Sequence, residues 1–147
     1  MRIFTLGFTK KTAEDFFTAL RSAGVRRLID VRLHNVSQLA GFAKRDDLQY
    51  FLRELCDCEY MHEPLLTPTQ AMLDQYRTKG RSWDEYEKQF AALMASRKVE
   101  QRIDRSLFAT PSVLLCSEPT PEHCHRRLIL EYLSRKWGSD SISIHHL

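Results

Sequence analysis

Ser112-Val-Leu-Leu-Cys116 is the most strand-like stretch of the chain, an unbroken apolar run of the kind seen where both faces of a strand are covered. Such a strand belongs in a parallel sheet, because parallel neighbours need crossover connections whose helices cover the sheet on both sides. The flanking segments agree. Ile3 to Leu6 is a short β-prone run closed by Gly7, and Val25 to Val31 holds a second strand ending near Asp30. Glu59 to His62 reads as a short third strand, and Ile142 and Ile144, alternating with Ser141 and Ser143, as a last one.

Helices are expected between them. Thr12, three residues before Asp15, opens a helix with Phe16, Leu20 and Ala23 inward and Gly24 as its stop. Leu33 to Arg45 reads as a loop, and Asp46 or Asp47 opens a helix with Leu48, Phe51, Leu52 and Leu55 on one face. Thr67-Pro-Thr-Gln70 places Pro68 at N1 and Gln70 at N3 of the next, which Gly80 ends. Ser82-Trp-Asp-Glu85 is a capping box for a helix with Tyr86, Phe90, Leu93 and Met94 at core spacing. The charged tract Arg97 to Arg105 extends that helix or forms a second short one. Thr120-Pro121 starts the last helix, which runs to about Lys136 and stops at Gly138. The alternation predicts one α/β domain over residues 1–147: an open, mainly parallel, Rossmann-like sheet of about five strands flanked by helices in three layers.

Composition narrows the function classes. A chain of 147 residues, 43% hydrophobic, can bury a core without disulfide or metal scaffolding. No apolar run approaches the roughly 18 residues of a membrane span, and the start lacks the marks of a secretory signal, so a soluble cytoplasmic protein is expected. The net charge of +3 and isoelectric point near 8.7 fall short of a dedicated nucleic-acid binder but leave room for phosphate-bearing ligands. In that compartment Cys56, Cys58, Cys116 and Cys124 are expected to be reduced.

Ligands of open parallel sheets sit beyond the carboxyl ends of the strands, where connections switch direction. That point is expected between the first strand and the one ending at Cys116. It gathers Gly7, Thr9, Asp30, Arg32, Cys116 and Glu118, with Cys124, His125 and Arg126 on the following helix. Cys124, in the first turns of that helix and flanked by His and Arg, has the surroundings that favour a thiolate nucleophile. The alternative for Cys116 and Cys124 is that of small buried hydrophobes. Asp30 and Arg32, two apart on one strand face, read either as a structural ion pair or as an orienting carboxylate with an anion clamp. His62 faces the same crevice or is a hydrogen-bonded structural residue. A metal site would use Cys116, Cys124 and His123 or His125, but the spacing matches no zinc-finger pattern. A cysteine phosphatase needs Arg six residues beyond its Cys, where Glu122 and Leu130 stand. A phosphate-binding loop needs more glycines than Gly7-Phe-Thr-Lys-Lys supplies.

Thr5-Leu-Gly-Phe-Thr9, Leu28-Ile-Asp-Val-Arg32, Leu114-Leu-Cys-Ser-Glu118 and Cys124-His-Arg126 together resemble the DUF488 family, in order over nearly the whole chain. The Cys-x-Glu and Cys-His-Arg pair is the most specific part. The resemblance implies the fold and the site but no reaction, the family being biochemically uncharacterised. Phe8 and Thr9 stand where the family usually has His-Ser in Thr-Ile-Gly-His-Ser. Leu33-His-Asn-Val-Ser37 stands where Pro and Ser often follow its Asp-Val-Arg.

The resulting expectation is a small enzyme binding an anionic ligand, a phosphate-bearing small molecule or nucleic acid. Asp30, Cys116, Glu118, Cys124 and His125 form its catalytic group, and Gly7, Thr9, Arg32 and Arg126 its ligand contacts. No metal ligand or cofactor is assigned, and no membrane partner is expected. The competing readings are a non-enzymatic binding module using Arg97 to Arg105 and Arg126 to Arg127, and a structural metal domain.

Overall fold

The computed structural model of the chain describes residues 1–36, 41–116 and 124–147. Its sheet contains β1 (Arg2–Gly7), β2 (Arg27–Asp30), β3 (Glu59–His62), β4 (Ser112–Cys116) and β5 (Ser143–His146), in the order β3-β2-β4-β1-β5 with every pairing parallel. The apolar run β4 lies at the centre, as its composition demands. It pairs with β1 from Ile3 opposite Ser112 to Gly7 opposite Cys116, and with β2 from Arg27 opposite Ser112 to Asp30 opposite Leu115.

Strand alternation divides the core in two. Val113 and Leu115 point with Phe4, Leu6 and Leu28 into one layer, while Leu114 and Cys116 point with Ile3 and Ile29 into the other. The first layer is closed by α1 (Ala13–Ala23), through Phe16, Phe17 and Leu20, and by α2 (Arg45–Phe51), through Leu48. The second is closed by α3 (Gln70–Arg77), α4 (Trp83–Arg97), α5 (Val99–Arg102) and α6 (His125–Trp137), contributing Met72, Phe90, Val99 and Leu133 among others.

Local signals account for most boundaries. Thr12 caps α1 by accepting from the Asp15 N–H, and Gly24 ends it at φ 70°, a left-handed conformation that costs glycine little. Ser82 caps α4 through the Glu85 N–H. Lys98, left-handed at φ 52°, separates α4 from α5, which resolves the charged tract into a second short helix.

Four expectations are corrected. The segment from Leu33 to Arg45 contains a 3₁₀ turn at Gly41–Ala43, and α2 begins at Arg45 itself. Thr69, not Pro68, leads into α3: its hydroxyl accepts from the Met72 N–H, so Gln70 is the first helical residue. A π turn, Leu52–Cys56, follows α2, and its wider winding leaves Leu55 47% exposed instead of sharing the face of Leu48 and Leu52. The predicted helix start at Thr120-Pro121 lies outside the described residues. Cys124 is extended, at φ −137° and ψ 139°, so it precedes the first residue of α6 and does not lie within its first turns. Among the described residues, no helix is long and apolar enough to cross a membrane.

Candidate active site

Asp30 ends β2 and Arg32 follows two residues on, so the pleat sends both side chains to the same side. Arg32 grips the carboxylate with both arms, Nε on Oδ1 and Nη2 on Oδ2, each at 2.8 Å. The Arg32 backbone N–H also donates to Oδ1 at 3.1 Å, and the Tyr60 hydroxyl donates to Oδ2 at 2.7 Å. Asn35 completes the chain by donating to the Tyr60 oxygen at 3.1 Å. Burial and the adjacent Asp30 carboxylate raise the Tyr60 pKa, so the phenol keeps its proton for that bond. Asp30 is fully buried, and its two oxygens each accept two hydrogen bonds. Its lone pairs are therefore already engaged. Phe8 backs the Arg32 guanidinium, with the charge 5.3 Å from the ring centroid.

The β4 side of the crevice has different chemistry. Cys116 at the strand end and Cys124 at the start of α6 are joined as a disulfide, against the expectation of two reduced thiols. Arg126, wholly buried, directs Nη1 to the Cys116 sulfur at 3.1 Å. The positive charge of Arg126 adds to burial in lowering the Lys11 pKa, so cations from the β1–α1 turn and from α6 share this end of the sheet.

Two imidazoles hold the chain as it leaves β2. His125 Nε2 donates to the Val31 carbonyl at 2.7 Å, and His62 Nε2 donates to the Arg32 carbonyl at 2.8 Å. A carbonyl only accepts, so the proton lies on Nε2 in each ring. Desolvation pushes the His125 pKa down to about 4, outweighing the carbonyl bond that favours the charged form. His125 is therefore neutral at physiological pH, its ring tilted against Phe90.

The structure thus brings Asp30, Arg32, Cys116, Cys124, His125 and Arg126 to one end of the sheet, on two sides of the β4 tip. Gly7 lies opposite Cys116, and Thr9 sits half-buried in the turn just beyond. Glu118 and His123 lie outside the described residues. Among the described residues no group of three His, Cys, Asp or Glu side chains is placed to hold a metal. Within the basic tract considered for nucleic acid, three arginines make contacts inside the fold, while Lys98 and Arg102 are exposed. Arg97 Nη1 donates to the Leu65 and Thr67 carbonyls, Arg105 lies over Trp137, and Arg127 bridges Glu87 and Glu131.

Residues 12–133 match the model of a family described as a domain of unknown function, DUF488. The chain belongs to the DUF488 family. A search of curated proteins and a search of solved structures find no match. The DUF488 match includes Asp30, Arg32, Cys116 and Cys124-His-Arg126, whereas Gly7, Phe8 and Thr9 precede it. In this DUF488 domain, Phe8 is a buried platform for Arg32. Sequence reasoning missed Tyr60 and Asn35. The signal for Tyr60 was present in the register that sets Leu28 against Tyr60 and Asp30 against His62, but that register is visible only once β2 and β3 are paired.

Proposed function

We propose that this DUF488 protein is a small enzyme that binds an anionic, phosphate-bearing ligand beyond the C-terminal ends of β1, β2 and β4. Its reactive group is a thiolate from the Cys116–Cys124 pair. The observation that carries this reading is the buried Arg126 guanidinium 3.1 Å from the Cys116 sulfur. A cation against sulfur favours the thiolate over the thiol, and a sheet end needs no such pairing for its stability. Reduction by an external dithiol transfers two electrons to the disulfide: the S–S bond breaks, Cys116 and Cys124 become thiols, and the dithiol leaves as a disulfide. The Arg126 charge then favours loss of the Cys116 proton to solvent. Arg32, held by Asp30, and Lys11 complete a cationic rim, and Gly7 and Thr9 form the backbone edge on which an anion rests. Asp30 fixes Arg32 and does not act as a base.

Titrating the reduced protein by thiolate ultraviolet absorbance tests the assignment. Cys56 and Cys58 do not interfere, since burial raises both pKa values, Cys58 to about 12. One thiol is expected to ionise below the ordinary value of about 8.5, to disappear in Cys116→Ser, and to move upward in Arg126→Gln. If neither Cys116 nor Cys124 ionises below that value, the nucleophile assignment fails. Salt-dependent stabilisation by inorganic phosphate that survives both Cys→Ser changes, with no low-pKa thiol, identifies a binding module instead.

A further inference from the structure

Between α1 and the segment carrying Phe42, Phe51 and Leu55 lies a groove that the crevice chemistry does not use. Phe17, Phe42, Phe51 and Leu55 line a cavity of about 280 Å³, with Glu14 and Arg21 on its rim. Phe17 packs edge-on against both Phe42 and Phe51, at 5.9 and 5.8 Å between centroids, so the floor is one continuous aromatic surface. The exposed large hydrophobics Tyr50 and Leu55 continue it along α2 and the π turn, at 53% and 47% exposure. The turn of the chain that wound Leu55 out of the core put it on this surface.

The charges identify the occupant. Glu14, Phe17, Thr18 and Arg21 stand at i, i+3, i+4 and i+7, a single stripe of α1. Glu14 and Arg21 are two turns apart, about 10 Å along the axis, too far to pair with each other. Among the described residues, neither has a salt-bridge partner. An apolar centre with an acid at one end and a base at the other is complementary to itself turned end for end. A two-fold axis through Phe17 and Thr18 sets Glu14 of each copy against Arg21 of the other, with the aromatic floor and Leu55 closing between them.

We propose that the α1–α2 face is a homodimer interface, in which two copies of this chain pack α1 antiparallel across a two-fold axis and form two reciprocal Glu14–Arg21 ion pairs. The partner is a second copy because turning the stripe end for end exchanges Glu14 with Arg21, so each charge meets its opposite. An arbitrary acidic or basic partner would satisfy one end and repel the other.

Sedimentation velocity over a dilution series of the full chain, with circular dichroism as a folding control, tests this. The wild type is expected to show a monomer–dimer equilibrium. Arg21→Glu, which sets like charges together twice, is expected to weaken it by about a hundredfold. Glu14→Arg acts likewise, and the double exchange E14R/R21E is expected to restore the dimer. Leu55→Asp, on an exposed side chain, is expected to dissociate the dimer without altering the circular dichroism. A wild type that stays monomeric overturns the proposal, as does a dimer insensitive to Arg21→Glu and Leu55→Asp. A double exchange that folds yet remains monomeric also overturns it, even if a single variant fails to fold.

Discussion

Arg32 and Arg126 are buried guanidinium groups at the same end of one sheet, 6% and 0% exposed, and their surroundings differ in kind. Arg32 meets a carboxylate two residues away, forked on both oxygens and shared with Tyr60. Arg126 meets the sulfur of Cys116, from another element, beside an imidazole that burial keeps neutral. The first arrangement is electrostatically closed: each charge has its opposite, and the pair holds the β2 exit in place. The second sets a positive charge beside a disulfide sulfur, which can become negative only after the S–S bond is reduced. One side of the β4 tip is held by an ion pair, and the other by a disulfide.

The contrast is broken most severely at Asp30. Asp30→Asn removes the negative charge and leaves Arg32 buried without it, an expected loss of about 3 to 5 kcal/mol measured by urea unfolding. If the loss is below about 1 kcal/mol, the Arg32 side is less closed than its geometry implies. The next effect is acid sensitivity on the other side. The folded pKa of His125, about 4, lies below the ordinary 6.5, so the unfolded chain binds the proton more readily. Stability from His125 is present above pH 6.5 and declines as pH falls through 6.5 towards about 4, by up to about 3 kcal/mol. His125→Gln is expected to flatten that part of the profile, and the difference between variant and wild type isolates His125 from the carboxylates.

Reducing Cys116–Cys124 opens a short loop and is expected to cost about 2 to 3 kcal/mol by the chain-entropy estimate. Unfolding in the presence and absence of dithiothreitol measures it, with Cys116→Ser as the control that should show no response. Tyr60→Phe should be the mildest change, about 1.5 to 2 kcal/mol, chiefly for the hydrogen bond to the Asp30 carboxylate, with the weaker one from Asn35 lost beside it. Because the ring still fills its space and an Asn amide still accepts, the effect should shrink to that of a neutral hydrogen bond in the Asp30→Asn background. A double-mutant cycle on Asp30 and Tyr60 reads that coupling.

The same contrast explains what the sequence made legible. β4 announced itself because a strand covered on both faces needs no polar alternation. Asp30 and Arg32 were placed together because period two is a property of the strand alone. Ser82 and Thr12 were read as caps because a cap is decided within four residues. Tyr60 and Asn35 escaped because their contact with Asp30 depends on β2–β3 register. The Cys116–Cys124 contact depends on where a connection returns after leaving the sheet. Leu55 was misplaced because a π turn breaks the 3.6-residue period from which its facing was inferred. Interactions set by chain period were readable, and those set by the meeting of separate elements were not.

The sheet order has a consequence for how the chain acquires its structure. β1 and β2 are made early in synthesis but never pair with each other; the strand between them, residues 112–116, comes more than eighty residues after β2 ends. Until it arrives, the edges of β1 and β2 that will face it have no strand to pair with. A central strand that arrives late makes folding depend on non-local contacts and slows it, while the open edges invite pairing with other chains. Ser112–Cys116 is thus both keystone and bottleneck. A ribosome stalled before residue 112 would hold a nascent chain with no means of closing its own sheet.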